Sequence, residues 1–365
     1  MRPFLQHPLL PTLVTALILI LGLSVVIAEA GGDPLALARL GTRFSDLDPA
    51  GTEGYDGQFV YYIARDPRPA AVAPHLDNPA YRYQRILLPL LARLAAVGDP
   101  ARLPWALAAL GVLTHTLGTW AVSALLARRG VSRWYALSYA LFPGFTLAVR
   151  LDLPEPLAFG LVALALLAAE RGRRGLGWGL LGLALFAKET VAPFLLAYFL
   201  AEWVAGRRRE ALLGALAAGL PFLLFQGWLW GVFGQPGLGS GGAMATPFEI
   251  VPYLGLLRIA AYLPWYFVGM LLVFGPAVVL PSLWGTWHSA RAWLRGERNV
   301  IVLGVFLNAA LLAFLPFSTY REPGGLLRFA CGLALALLVY GAEYRLRRVL
   351  NYSPFWIVLN VFLIA

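Results

Sequence analysis

The run Pro8-Leu9-Leu10-Pro11-Thr12-Leu13-Val14-Thr15-Ala16-Leu17-Ile18-Leu19-Ile20-Leu21-Gly22-Leu23-Ser24-Val25-Val26-Ile27 decides the fold class. It carries no charge, and a helix needs about 20 largely apolar residues to cross a bilayer. It is longer than the core of a signal peptide, although it ends in Ala28-Glu29-Ala30, which has the small-residue form of a cleavage site. The downstream topology closes only if the run stays, so it reads as a retained first span. Composition extends the membrane reading to the whole chain of 365 residues, with 59% apolar and 13% charged residues and a mean hydropathy of +0.70. Soluble domains carry about 25% charged residues. The expectation is an all-α polytopic membrane protein, one integral membrane domain over 1–365.

Spans are expected at 8–29, 104–127, 134–150, 154–170, 175–188, 190–205, 210–232, 265–288, 299–316, 324–342 and 353–365, about eleven transmembrane helices. A formal charge of +10 would suggest nucleic acid if it formed one patch. Instead it falls in short clusters at the ends of apolar runs: Arg128, Arg129 and Arg133; Arg171, Arg173 and Arg174; Arg207 to Arg209; Arg291, Arg295 and Arg298; Arg345, Arg347 and Arg348. That is a positive-inside pattern, and it rules down nucleic-acid binding. With the N-terminus inside, these clusters and Arg2 share the inner side.

The connection 31–103 and a second loop, 233–252, then face outward. The second loop holds Gly234, Gly237, Gly239, Gly241 and Gly242, so it is expected to be mobile or to order on a ligand. Residues 84–98 are apolar but too short to span. They read as an amphipathic helix on the outer membrane surface, and 252–263 can do the same. No internal repeat is visible, which argues against inverted-repeat transporters. Cys331 is the sole cysteine and reads as a buried thiol, while His7, His75, His115 and His288 are scattered. Phosphate-binding loops, dinucleotide fingerprints and nucleophile elbows are missing from the sequence.

The outer loop holds eight acids and eight arginines, with two dense blocks: Gly54-Tyr55-Asp56-Gly57-Gln58-Phe59-Val60-Tyr61-Tyr62 and Asp77-Asn78-Pro79-Ala80-Tyr81-Arg82-Tyr83-Gln84-Arg85. Two roles fit Asp56. A carboxylate partly screened from water can act as a base, and an Asp before Gln58 can equally cap a helix. Asp46 and Asp48 form an Asp-x-Asp pair that can share a divalent cation, Mg or Mn, or mark a solvated turn into Pro49. Arg82 and Arg85 lie three apart and would share a helix face, where guanidiniums can grip a phosphate or snorkel to ordinary headgroups. Tyr81 and Tyr83 beside them also suit an aromatic belt.

Further charges fall at the outer ends of later spans: Arg150, Asp152 and Glu155; Lys188 and Glu189; and Arg321, Glu322 and Arg328 after Tyr320. Each is a functional candidate by cost alone. Lys188 with Glu189, or Arg150 with Asp152, could instead neutralise each other. His115, in mid-span, suits an interhelical hydrogen bond.

This architecture resembles the GT-C superfamily of membrane glycosyltransferases, which take sugars from polyprenyl-phosphate carriers. The likeness rests on a first span followed by a long outer loop with an early Asp, surface helices within that loop, basic inner turns, and Ala187-Lys188-Glu189-Thr190. The blocks around Asp56 and Arg82 look like a bacterial branch. The resemblance implies an inverting transfer to an acceptor glycan, lipid or protein at the outer face of a bacterial plasma membrane, with the N-terminus cytoplasmic. It implies a first-loop Asp as base, best fitted by Asp56, with Asp46 and Asp48 behind it. It draws phosphate ligands from Arg82, Arg85, Lys188, Arg321 and Arg328. Contacts to sugar and acceptor would come from Tyr55, Gln58, Tyr62, Tyr81, Tyr83, Asp152, Glu155 and Glu189. The alternatives are a non-catalytic membrane scaffold, using the aromatic outer loop as a partner surface, and a lipid-linked sugar transporter.

Overall fold

The computed structural model describes His7 and residues 9–363. Arg2, Pro8 and the end of the expected run 353–365 lie outside the described residues. All regular structure among the described residues is helical. The first helix is α1 (Leu10–Glu29). The long connection then holds α2 (Gly57–Arg65), α3 (Pro79–Tyr83) and α4 (Leu87–Ala95) before α5 (Leu103–Arg128). A run of shorter helices follows: α6 (Pro143–Arg150), α7 (Glu155–Glu170), α8 (Arg174–Ala187) and α9 (Ala192–Val204). The rest comprises α10 (Arg208–Phe233), α11 (Leu254–Tyr262), α12 (Pro264–Val273), α13 (Leu280–Leu294), α14 (Val300–Ala313), α15 (Phe317–Arg321) and α16 (Pro323–Glu343).

Proline sets many of the starts. It occupies the first turn of α1, α3, α5, α6 and α16, where its missing N–H would have no partner in any case. Pro143 also explains a departure from the sequence reading. The stretch 134–150 forms a 3-10 turn, a short helix Ala136–Ala140 and α6, instead of one continuous helix. Proline removes a ladder hydrogen bond and clashes with the preceding turn, so the chain breaks there.

Four helices are long and apolar enough to cross a membrane among the described residues: α1, α5, α10 and α16. A fifth arises if α12 and the segment Gly275–Leu294, bent by 56°, count as one. The stretches expected as spans over 154–205 and 299–316 are helices of 13 to 16 residues, and 353–365 begins as a 3-10 helix. The long apolar helices mark a membrane-embedded, all-α chain. Their exposed leucines, among them Leu13, Leu17 and Leu21 on α1 and Leu213, Leu220 and Leu224 on α10, would be unstable in water and suit a lipid solvent.

At the centre lies α16, buried from Gly325 to Ala342 except at Phe329. It packs on α6, α7 and α14, and Cys331 is buried within it. His115 on α5 bonds across to the Ala140 carbonyl at 2.8 Å, the interhelical contact its mid-helix position suggested.

Ion pairs give the bundle two distinct ends. Arg129 joins Glu170 and Glu343, gathering the C-terminal ends of α5, α7 and α16. Arg328 near the start of α16 contacts Glu155 at the start of α7 and Asp56 before α2. The N-terminal ends of α7 and α16 therefore meet beneath the long connection.

Candidate functional site

Asp56 is positioned by a close backbone approach. A Cβ on Gly57 would sit 2.1 Å from the Leu151 carbonyl oxygen, so only glycine lets the start of α2 rest on the turn between α6 and α7. Asp56 already has helical backbone angles, φ −56° and ψ −27°, and its side chain makes no capping hydrogen bond. A cap needs a residue still outside the helix. The carboxylate turns instead to two guanidiniums. Oδ1 lies 3.0 Å from Arg82 Nη1, and Oδ2 accepts from Arg328 Nη1 at 2.8 Å.

Each arginine is fixed by further partners. Arg82 donates from Nε and Nη2 to the two oxygens of Asp77, at 2.7 and 2.8 Å, and its guanidinium lies 4.3 Å from the Phe59 ring centre. The short helix α3 presents Arg82 because Asn78 caps it, accepting from the Tyr81 N–H. Arg328 also lies 3.7 Å from Glu155 Oε1 and 5.4 Å from the Tyr55 ring. Arg85 donates to both oxygens of Glu189 and, at 2.7 Å, to the Tyr81 hydroxyl.

Lys188 pairs with Glu155, not with Glu189. The backbone at Lys188 is extended, φ −160° and ψ 128°, and neighbouring side chains in extended chain point to opposite sides. One residue therefore serves Glu155 and the next serves Arg85. The four buried cations meet four carboxylates, Asp56, Asp77, Glu155 and Glu189, so the cluster is neutral in sum. Lone buried charges cost several kcal/mol, and mutual pairing is what makes them tolerable.

Beside Asp56 opens a cleft of about 500 Å³ whose lining mixes charged and aromatic side chains. Its walls come from the first loop, at Phe44 and within residues 53–59 and 77–82, from the second loop at Gly242–Ala245, and from residues within 318–329. The Gly-rich loop is laid against the first loop by hydrogen bonds from the Ala243 N–H to Asp77 Oδ2 at 3.1 Å and from Asn78 Nδ2 to the Gly241 carbonyl at 2.7 Å. A Cβ on Gly242 would meet Asp77 Oδ2 at 2.8 Å and Arg82 Nη2 at 2.9 Å, so glycine lets this loop close over the ion pair. Below Asp56 is a small void of about 20 Å³, lined by Arg82, Arg85 and Arg328 with Asp56 as its single carboxylate.

Of the residues singled out in the sequence, Tyr55, Asp56, Gln58, Tyr81, Arg82, Arg321, Glu322 and Arg328 line this one cleft. Gln58 is partly committed, accepting from the Gly41 N–H and donating to the Glu53 carbonyl. Arg85 reaches only the lower void, and Glu155, Lys188 and Glu189 form the ion-pair layer behind it. Tyr62 is buried beside His75. Tyr83 donates to the Pro67 carbonyl and packs among Phe225, Trp228 and Phe233, away from the cleft.

Asp46 and Asp48 are exposed turn residues. Asp46 accepts from Ser45, and Asp48 accepts from the Ala50 N–H. Among the described residues no group of three or more His, Cys, Asp or Glu is placed to hold a metal ion. Asp152 sits at φ +53° in the α6–α7 turn, buried, with no hydrogen bond to either carboxylate oxygen. The neutralisation by Arg150 suggested by the sequence is therefore not made through a hydrogen bond to this carboxylate.

Glu322, a candidate by its charge, accepts from the Tyr55 hydroxyl at 2.7 Å. Two participants were not singled out in the sequence: Asp77, which orients Arg82, and Phe59, whose ring lies against its guanidinium. Of these only Asp77 left a local signal, as the residue before the Asn78 cap.

The electrostatics are one-sided. Burial pushes the Asp56 carboxyl up, but Arg82 and then Arg328 outweigh it and hold the group well below the usual carboxylate range. Burial pushes the Asp152 carboxyl well above that range. Burial likewise raises the Tyr55 hydroxyl, and Glu322 adds to it against Arg328. The cleft thus offers an ionised carboxylate flanked by fixed cations, an arrangement able to hold an anion and a hydroxyl side by side. No protein-family model, curated protein or solved structure matches this chain.

Proposed function

We propose that the chain is a glycosyltransferase that moves a sugar from a polyprenyl-phosphate carrier to an acceptor hydroxyl. The observation that carries this reading is the meeting of Asp56 with Arg82 and Arg328 in the wall of one cleft, built from segments far apart in sequence. In this reading the acceptor O–H gives its proton to Asp56 as its oxygen bonds to the anomeric carbon. The bond from that carbon to the phosphate oxygen breaks on the opposite face, with inversion. The phosphate leaves with the electron pair, and Arg82 and Arg328 stabilise the charge where it develops. Tyr55, Gln58 and Tyr81 line the space for sugar and acceptor.

The finer architecture belongs to the same proposal. The shorter helices complete about eleven spans of a GT-C-like scaffold in a bacterial plasma membrane. The N-terminus is cytoplasmic and the cleft lies on the outer face. A non-catalytic membrane subunit is the second reading, favoured by one observation: the buried cations are already neutralised by carboxylates. Mass spectrometry separates the two. Nanodisc-embedded protein is incubated with a panel of polyprenyl-phosphate sugars and candidate acceptors, and free polyprenyl phosphate is followed. Release by the wild type and none by Asp56→Asn supports transfer. No release and no donor binding across the panel favours the subunit.

A further inference from the structure

Asp56 stands at a boundary: it lines both the open cleft and the small void beneath. Its two oxygens are divided between two guanidiniums, as the oxygens of a phosphate would be. Two of the guanidiniums have further hydrogen-bond partners, Arg82 with Asp77 and Arg85 with Glu189 and Tyr81. Arg328 keeps an ionic contact with Glu155 at 3.7 Å and the Tyr55 ring at 5.4 Å. Arg328 Nε is buried and has no hydrogen-bond partner. The arginine side chains are each about 10% exposed and Asp56 24%, so the carboxylate is the member of the cluster nearest the opening. The void, about 20 Å³, has room for a water and not for a phosphate. Arg82 and Arg328 also line the open cleft, but a phosphate can bridge the two guanidinium edges that Asp56 now holds only by taking the place of the carboxylate.

We propose that Asp56 is a resident stand-in for a phosphate group, the diester of a lipid-linked sugar or the monoester left after its cleavage, displaced toward the cleft when phosphate arrives on Arg82 and Arg328. Arg82 keeps its two hydrogen bonds to Asp77 when the carboxylate leaves, while Arg328, left with only its looser contacts to Glu155 and Tyr55, gains a partner in the phosphate. Displacement also changes what Asp56 can do. Paired with two cations it accepts a proton poorly. Released from them, with Tyr55, Glu322 and Asp77 as its neighbours in the cleft wall, it regains the basicity of an ordinary carboxylate. The base would then act only when the donor is in place, and water alone would not be activated. This last consequence rests on the transferase reading; the displacement itself does not.

Isothermal titration of the full chain in nanodiscs tests it, with inorganic phosphate and polyprenyl phosphate as separate probes. Asp56→Asn removes the internal competitor, so binding tightens about tenfold or more. Arg328→Gln weakens it by a similar factor, and Asp99→Asn, at an exposed carboxylate remote from the cleft, changes nothing. Should Asp56→Asn fail to fold, Asp56→Ser carries the same expectation. Tightening of both probes supports a cradle that reads the phosphate alone. Tightening of the lipid probe only supports displacement by a lipid-borne phosphate. Unchanged or weaker binding of both by a folded Asp56 variant overturns the proposal. Tightened binding by the variant together with no sugar transfer by the wild-type protein would remove the transferase reading and leave this one standing.

Discussion

The two ends of the bundle use the same residue, arginine, for opposite purposes. At the cleft end Arg82, Arg85 and Arg328 are nearly buried, and each is held by at least one carboxylate. At the other end Arg129 alone is buried to the same degree among these pairs, and it too is matched, by Glu170 and Glu343. Arg128 and Arg174 there are about half exposed, and positive charge exceeds the carboxylates Glu170, Glu202 and Glu343 that answer it. Charge in the first setting must be matched group by group, because desolvation is costly. In the second, water and headgroups screen it. The contrast teaches that a count of arginines says little, and that burial decides which of them can position chemistry.

Breaking the cleft end should have the largest effect. Asp56→Asn keeps the shape and removes the proton acceptor, so turnover falls by about 10²–10⁴-fold in the polyprenyl-phosphate release assay. Next comes the layer behind the cleft. Glu155→Gln leaves Lys188 buried with no ionised carboxylate at contact distance, costing about 3–5 kcal/mol. Adding Lys188→Met recovers much of that loss, read by thermal unfolding in nanodiscs.

Asp152 sharpens the comparison, since it is a buried acid whose carboxylate makes no hydrogen bond among the described residues. Its carboxyl is raised in the folded state. Over the pH range in which the unfolded chain releases this proton, the folded chain retains it. Stability therefore falls as pH rises from about 4 toward the raised value. Asp152→Asn flattens this slope, and thermal unfolding across pH 4 to 8 measures it. The smallest effect belongs to the basic end. Arg128→Gln breaks a 3.5 Å pair with Glu170 and shifts stability by less than about 1 kcal/mol in the same unfolding assay.

Much of this organisation is legible in the sequence because it is local. The uncharged run before Glu29, the aromatic block around Asp56 and the Arg82–Arg85 spacing all lie within single segments. The void beneath Asp56 has both of those arginines in its wall, but α3 ends at Tyr83 and Arg85 follows in a turn, so the two meet there without sharing a helix face. What escaped is pairing over distance. Arg328 reaches Asp56 across 272 positions and Lys188 reaches Glu155 across 33, and no spacing rule carries such information. Lys188 also shows how a local rule misleads, because adjacent opposite charges in extended backbone face apart. Glu322 joined the site through the packing of α15 and α16 against the first loop, which only the tertiary fold supplies.

The most direct measurement sets the two ends against each other. Release of polyprenyl phosphate from a lipid-linked sugar is followed for Arg328→Gln at the cleft and for Arg128→Gln at the basic end, each checked for folding by its melting temperature. Release should fall at least tenfold for folded Arg328→Gln and remain near wild type for Arg128→Gln. Equal release from both variants would contradict the assignment of the cleft as the place where a sugar phosphate is bound and broken.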